Sequence, residues 1–299
     1  MYTVASFFSG CSGSDLGFKD YFKIVFAVDL DYDTCVTYRA NIGPIFNFPI
    51  SSVEPPPADI FIGGPPCQSF TNARTCEGYR SGTGMIHIEN YVRKIAKHRP
   101  KLAILENSPT LCQKSLSWAL GRILDMLDSA GYAAKPYLLN AEDYGVPQSR
   151  IRMFILCSRK DTGIVFLPPK EDHWRNHYLG WADYLELPNK GILLSRANKV
   201  KGRDCLQAAY TVIGAELMAI RYENVKDSGF IFSNERDGIN QRYLTVQEIA
   251  KLQGFPVKYK FYKDARKQIG NSWSVHVSKA LAKEAKGILD EYYRKRKIS

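Results

Sequence analysis

The 299-residue chain is 45% hydrophobic and 12% aromatic, enough for a sizeable core in one large domain or two unequal ones, and this composition excludes intrinsic disorder. Of its net charge of +11, residues 242–299 hold +9 (14 Lys and Arg against 5 Asp and Glu), which suits a polyanionic partner, although a merely basic surface gives the same balance. No run of about 18 apolar residues and no charged-then-apolar leader is present, and the seven cysteines include no Cys-x-x-Cys pair, so no membrane span, disulfide framework or metal site is expected and a cytoplasmic protein with reduced thiols is.

Over the first 160 residues, short apolar runs alternate with helix-period segments, which predicts βαβ units and a parallel sheet. Strands are expected at residues 4–8, 24–28, 60–62, 102–105, 133–139 and 152–157. Ile88, Tyr91, Val92 and Ile95 mark one amphipathic helix, and Leu120, Ile123, Leu124 and Leu127 another. Beyond Pro168-Pro169 the pattern loosens, and residues 170–241 read as a separate loop-rich module. A helix over 245–253 begins with Thr245 as cap and Glu248 three residues on, a capping box. The last helix, over 275–293, places Val277, Leu281, Ile288 and Tyr292 on one stripe.

Four places carry chemistry. The first strand runs into Phe8-Ser9-Gly10-Cys11-Ser12-Gly13, a turn whose glycines let the backbone approach a ligand. It lacks the Gly-x-Gly-x-x-Gly spacing and has no phosphate-loop Lys, which disfavours a nicotinamide cofactor. Asp29, ending the second strand, is placed to accept ribose hydroxyls or is simply solvated. Cys67 follows Ile60-Phe61-Ile62 through Gly63-Gly64-Pro65-Pro66, a stiff delivery of a thiol to the carboxyl edge of a sheet. A packing cysteine is the alternative. Glu106 ends the strand Leu102-Ala103-Ile104-Leu105, where burial would favour a proton-donating acid and exposure a plain turn. Arg150 and Arg152 alternate with Ile151, so in extended backbone both guanidinium groups face one way, as a clamp or as two surface charges.

Taken together and in order, these segments resemble the cytosine-5 DNA methyltransferases, of bacterial and archaeal restriction–modification type, across nearly all of the chain. Phe8 to Gly13 is similar to that family's S-adenosylmethionine loop, Gly64-Pro65-Pro66-Cys67-Gln68 to its nucleophile motif, Glu106-Asn107 to its acid motif and Gln148-Ser149-Arg150-Ile151-Arg152 to its Gln-x-Arg-x-Arg motif. Arg242-Tyr243-Leu244-Thr245, with Glu248 and Leu252-Gln253-Gly254-Phe255-Pro256, resembles the ninth motif, and Gln268-Ile269-Gly270-Asn271-Ser272 the tenth.

The resemblance implies a class I methyltransferase, α/β and Rossmann-like, with a mostly parallel sheet formed by residues 1–169 plus 267–299 and a target-recognition domain at 170–266. It implies transfer of a methyl group from S-adenosylmethionine to carbon 5 of a flipped cytosine in double-stranded DNA, through a covalent adduct with Cys67. Glu106 would protonate ring nitrogen 3, Arg152 would hold the base carbonyl, and Arg150 would support Cys67 and Glu106. The cofactor would be held by Phe8, Ser9, Gly10, Cys11, Ser12, Gly13, Asp29, Leu30, Gly64, Pro66, Asn271 and Ser272. DNA would meet Gln68, Thr71, Arg74 and Arg80 on the loop after the nucleophile, and Gln148, Thr211 and Arg221 elsewhere. A monomer is expected, with a companion restriction endonuclease as candidate partner.

Several positions depart from the family pattern. Ser12 replaces a glycine, tolerable if its φ is negative. Pro49 or Ile50 stands where an acid should bind the adenine amine, Leu30 replaces an aromatic residue, and Lys251 an arginine. A tRNA cytosine-5 methyltransferase is the alternative; the Cys-Phe-Thr tripeptide of that branch is absent.

Overall fold

The computed structural model describes residues 1–66, 83–187, 191–195, 206–209, 211–212, 218–222 and 240–298. They fall into two compact units, one of Met1–Leu139, Ile151–Lys170 and Val277–Ser299, the other of Asn140–Arg150 and Glu171–His276.

The first unit is built on a seven-stranded sheet of β1 (Tyr2–Phe7), β2 (Phe22–Asp29), β3 (Phe46–Asn47), β4 (Ile60–Gly63), β5 (Leu102–Asn107), β6 (Tyr132–Asn140) and β7 (Ile151–Arg159), in the order β3-β2-β1-β4-β5-β7-β6. β1, β2, β3, β4 and β5 pair in parallel, whereas β7 lies antiparallel to β5. The expected strands are all present, most of them longer by a residue or two at ends where polar residues join the ladder. This is the class I methyltransferase arrangement, a mostly parallel Rossmann-like sheet with β7 reversed against β5.

Helices α1 (Gly13–Phe18), α2 (Tyr32–Asn41), α3 (Thr83–His98) and α4 (Ser117–Ser129) connect the strands. The stripe Ile88, Tyr91, Val92 and Ile95 of α3 is fully buried against Phe7, Phe61 and Leu105 of the sheet, as its 3.6-residue period requires. Phe7 packs within 5.1–5.4 Å of the Phe26, Phe61 and Tyr91 rings. Gly63, ending β4, faces Tyr91; a Cβ there would come within 2.8 Å of the ring, so the strand leading to Cys67 depends on the missing side chain.

In the second unit lie α5 (Trp181–Tyr184), the antiparallel strands β8 (Gly191–Ser195), β9 (Met218–Tyr222) and β10 (Asn240–Tyr243), then α6 (Val246–Leu252) and α7 (Ala265–Asn271). The stretch read as loop-rich thus contains strands of five residues, too short to announce themselves by periodicity. Both halves of the Thr245/Glu248 capping box form, and Arg242 clamps the Glu248 carboxylate at 2.6 and 2.8 Å. Residues 141–150 and 267–276 fall in this unit, where Gln148 and Arg150 make their hydrogen bonds.

The final helix α8 (Val275–Ile298) continues from the second unit into the first. Its buried stripe is Val277, Leu281, Ala285, Leu289 and Tyr292, with Leu289 in the place expected for Ile288. A Cβ on Gly17 would come within 2.4 Å of the Lys279 backbone nitrogen, so α1 and α8 are in backbone contact, and Ser278 Oγ donates to the Ser14 carbonyl.

Candidate active site

The carboxyl edge of β1, β2, β4 and β5 collects the predicted groups of the first unit. After β1 the chain turns through Phe8 and Gly10 at φ 52° and 57°, and Gly10 N donates to Asp29 Oδ2 at 2.8 Å. Ser12 also stands in the left-handed region, at φ 75°, so the condition of a negative φ under which a serine there is tolerable is not met. The fold demands glycine geometry there and a serine adopts it, at a cost of about 1–2 kcal/mol.

Beneath this turn lies a residue the sequence did not single out as functional. The Asp15 carboxylate, fully buried, accepts from Ser6 Oγ and Ser14 Oγ at 2.8 Å each and from Tyr38 OH at 3.0 Å. Ser9 Oγ extends the chain to Ser6 Oγ at 2.9 Å. Burial pushes the Asp15 carboxyl up to about 6, while the three hydroxyl donors pull the other way. Asp15 therefore anchors the loop from below; the interleaved serines around it are the signal a sequence reading could have used.

Asp29 takes Gly10 N on one oxygen and Asp31 N on the other, at 2.9 Å, and burial raises its carboxyl above the ordinary range. Beside it Leu30, Phe46 and Phe48 are exposed, and Asn47 Nδ2 ties the Asp29 and Leu30 carbonyls at 3.2 and 2.8 Å. An acid with remaining lone pairs next to exposed apolar surface suits a ribose joined to a flat base. The loop Phe8, Ser9, Gly10, Cys11, Ser12 and Gly13 with Asp29 and Leu30 thus fits a nucleoside-bearing methyl donor. Pro49 caps a short turn and Ile50 is buried, so neither offers the adenine-binding acid.

Gly64, Pro65 and Pro66 leave β4 at the same edge, and Asn107 Nδ2 donates to the Pro65 carbonyl at 3.1 Å. This bond ties the end of β5 to the backbone two residues before Cys67. Glu106 pairs with Phe154 across the antiparallel β5–β7 boundary, which puts Arg152, two residues earlier, on the same face. Arg152 Nε lies 3.5 Å from Glu106 Oε1, and the two side chains are 24% and 12% exposed. Glu106 is thus a largely buried acid beside a cation, not a solvated turn residue.

The second unit receives the remaining predicted residues, and two change character. Arg150 is buried, donating Nη1 to the Val212 carbonyl at 2.7 Å and Nη2 to the Gly270 and Ser272 carbonyls at 2.9 and 2.8 Å. Its guanidinium thus ties three backbone carbonyls of this unit together. Gln148, expected at DNA, is 0% exposed; its amide donates to the Leu252 carbonyl at 2.6 Å and accepts from Val212 N at 3.2 Å. Thr211, half-buried, donates to the Ser149 carbonyl. Asn271 is exposed and Ser272 buried, its hydroxyl donating to the Ile269 carbonyl at 2.8 Å. Cys67, Gln68, Thr71, Arg74 and Arg80 lie outside the described residues, and of Arg221 only the backbone, in β9, is described.

The profile of the C-5 cytosine-specific DNA methylases matches residues 2–188 and 192–287. The chain is 33% identical to the Type II methyltransferase M.MthTI of Methanothermobacter thermautotrophicus, covering 96% of this chain and 98% of that protein. It is 29% identical to the Type II methyltransferase M.NgoPII of Neisseria gonorrhoeae, covering 96% of each. A prophage-encoded E. coli structure assigned as a DNA modification methyltransferase superposes with a TM-score of 0.70 at 21% identity, covering 97% of this chain and all of that one.

Proposed function

The chain belongs to the C-5 cytosine-specific DNA methylases, and on that premise we propose how its own residues carry the reaction. It is a DNA (cytosine-5) methyltransferase that draws its methyl group from S-adenosylmethionine. Carbon 5 of cytosine is a weak nucleophile. The Cys67 thiolate adds to carbon 6, and Glu106 donates a proton to ring nitrogen 3 as the electron pair moves toward carbon 5. The bound cofactor supplies an electrophilic methyl group to that carbon. Loss of the carbon 5 proton then expels the cysteine and restores the ring. Arg152 holds Glu106 in place and offers its remaining N–H groups to the base carbonyl. Asn107 fixes the backbone that presents Cys67. None of this is possible in a stacked duplex, so the cytosine is flipped out at a cost of about a few kcal/mol.

The observation that carries this reading is the convergence at one sheet edge of the Glu106–Arg152 pair and the Asn107-held Pro65 carbonyl, two residues from Cys67. The unit of Asn140–Arg150 and Glu171–His276 would read a short target sequence, with Thr211 and Arg221 near its contact surface. The relatives are Type II methyltransferases, which supports a companion restriction endonuclease. Incubation with methyl-labelled S-adenosylmethionine and either duplex DNA or tRNA tests the reading. Label enters DNA, and Cys67→Ala abolishes transfer while DNA binding persists; turnover by that variant would exclude thiol addition.

A further inference from the structure

We propose that the loop between α6 and α7, residues 254–263, is a rigid clamp for the phosphate backbone of duplex DNA, independent of base sequence; the partner rests on the proposed reading of this unit. The loop alternates charge with aromatic bulk, as Val257-Lys258-Tyr259-Lys260-Phe261-Tyr262-Lys263, and contains no acidic residue. The second unit carries 17 Lys and Arg against 14 Asp and Glu, and residues 254–263 contribute +3 to that balance, as residues 196–203 contribute +4. All three lysines are exposed. Three exposed lysines with no acid among ten residues form a compact polyanion footprint.

The loop is held in one shape. Phe255, Tyr259 and Phe261 pack on one another with ring centroids 4.8, 5.0 and 5.3 Å apart, which turns the intervening lysines outward. Tyr259 N donates to the Pro256 carbonyl at 2.9 Å. The buried Gln268 amide donates to the Tyr262 and Lys263 carbonyls at 2.6 and 3.2 Å. Lys263 and Asp264 are consecutive left-handed residues, φ 45° and 30°, a conformation that glycine would accept freely and that here costs stability. An ordinary connection between two helices needs neither a private aromatic core nor two strained residues. Both make sense if the spacing of the ammonium groups matters, because a preorganised cation loses less entropy on meeting a phosphate. Tyr262, exposed beside the Lys263 ammonium, adds a hydroxyl of the kind that contacts phosphates.

The test is a titration of full-length protein with a duplex of random sequence over a series of NaCl concentrations. The variants are the triple Lys258→Gln, Lys260→Gln, Lys263→Gln, a control triple Lys19→Gln, Lys23→Gln, Lys283→Gln at exposed lysines of the first unit, and the loop triple changed to Arg. Each phosphate contact contributes about 0.9 to the slope of log affinity against log salt, so the loop triple is expected to lower that slope by about 2–3. The control and the Arg triple keep the parental slope. An unchanged slope in the loop triple, or an equal fall in the control, overturns the clamp. Methyl transfer by the parent is measured in parallel. A parent that transfers to DNA while the loop triple keeps its slope leaves the reading standing and removes the inference; a parent that transfers nothing while the slope falls does the reverse.

Discussion

Arg152 Nε stands 3.5 Å from Glu106 Oε1 across the antiparallel boundary between β5 and β7. The register makes this pair: Glu106 lies opposite Phe154, so Arg152, two residues along β7, is its diagonal neighbour on the same face. If Glu106 is the proton donor, Glu106→Gln is expected to lower kcat by about 10²- to 10⁴-fold while duplex affinity changes little. Single-turnover transfer and a binding titration on the same preparation check both halves. Arg152→Lys is expected to lose activity as well, since one ammonium cannot reach the acid and a base carbonyl in the fixed fork of a guanidinium. A fully active Arg152→Lys enzyme would limit Arg152 to charge alone.

Ser12 offers a stability gain at the cofactor loop. Its φ of 75° costs about 1–2 kcal/mol, and a glycine would relieve that while giving back part of it as unfolded-chain entropy. Ser12→Gly is therefore expected to stabilise by about 0.5–1 kcal/mol in urea unfolding, and Ser12→Ala, which keeps the strain, to bring no gain. Isothermal titration with S-adenosylmethionine checks that the loop keeps its shape, with affinity in Ser12→Gly at least that of the parent.

Much of the first unit was legible because its strands are short apolar runs and its helices carry full stripes, as at Ile88, Tyr91, Val92 and Ile95. The chemistry was legible because motif residues sit at the carboxyl ends of strands: Asp29 ends β2, Glu106 is next to last in β5, and Pro65-Pro66 follow β4 toward Cys67. What could not be read depends on partners distant in sequence. Gln148 and Arg150 look like ligand-binding groups locally, yet their partners are the carbonyls of Leu252, Val212, Gly270 and Ser272. β9 draws its stability from ladders to β8 and β10, so no local period betrays it. The sign of φ at Ser12 is set by the turn, which residue type alone does not reveal.

The Arg150 tie leads to a prediction about folding. Arg150→Ala takes the donor from the buried Val212 and Gly270 carbonyls, while the Ser272 carbonyl keeps Gln253 Nε2 at 2.8 Å; at about 1–3 kcal/mol for each group stranded, a loss of about 2–6 kcal/mol is expected. Arg150→Lys is expected to recover only part, because two separate nitrogens now serve Val212 on one side and Gly270 and Ser272 on the other. Thermal unfolding of the three proteins gives the order parent, Lys, Ala. Wild-type stability with lost turnover in either variant would instead mark Arg150 as acting in the chemistry.

Asp15 gives a pH dependence whose sign can be worked out. Its carboxyl titrates at 3.8 when unfolded and about 6 when buried in the fold, because desolvation outweighs the donors Ser6, Ser14 and Tyr38. The folded chain therefore binds this proton more tightly than the unfolded chain. The stability it contributes is fully present below about pH 4 and is lost as pH rises through about 6, an effect on the order of 2–3 kcal/mol. Other groups titrate in the same window, so the measurement is a difference: unfolding free energy of the parent minus that of Asp15→Asn, from pH 4 to pH 7. That difference should fall by about 2–3 kcal/mol across the window, because asparagine cannot ionise. Ser6→Ala removes one donor that favours the ionised form, so in that variant the midpoint of the fall moves to higher pH. A flat difference would mean that Asp15 titrates alike in both states and that its three hydroxyl donors cancel the cost of burying its charge.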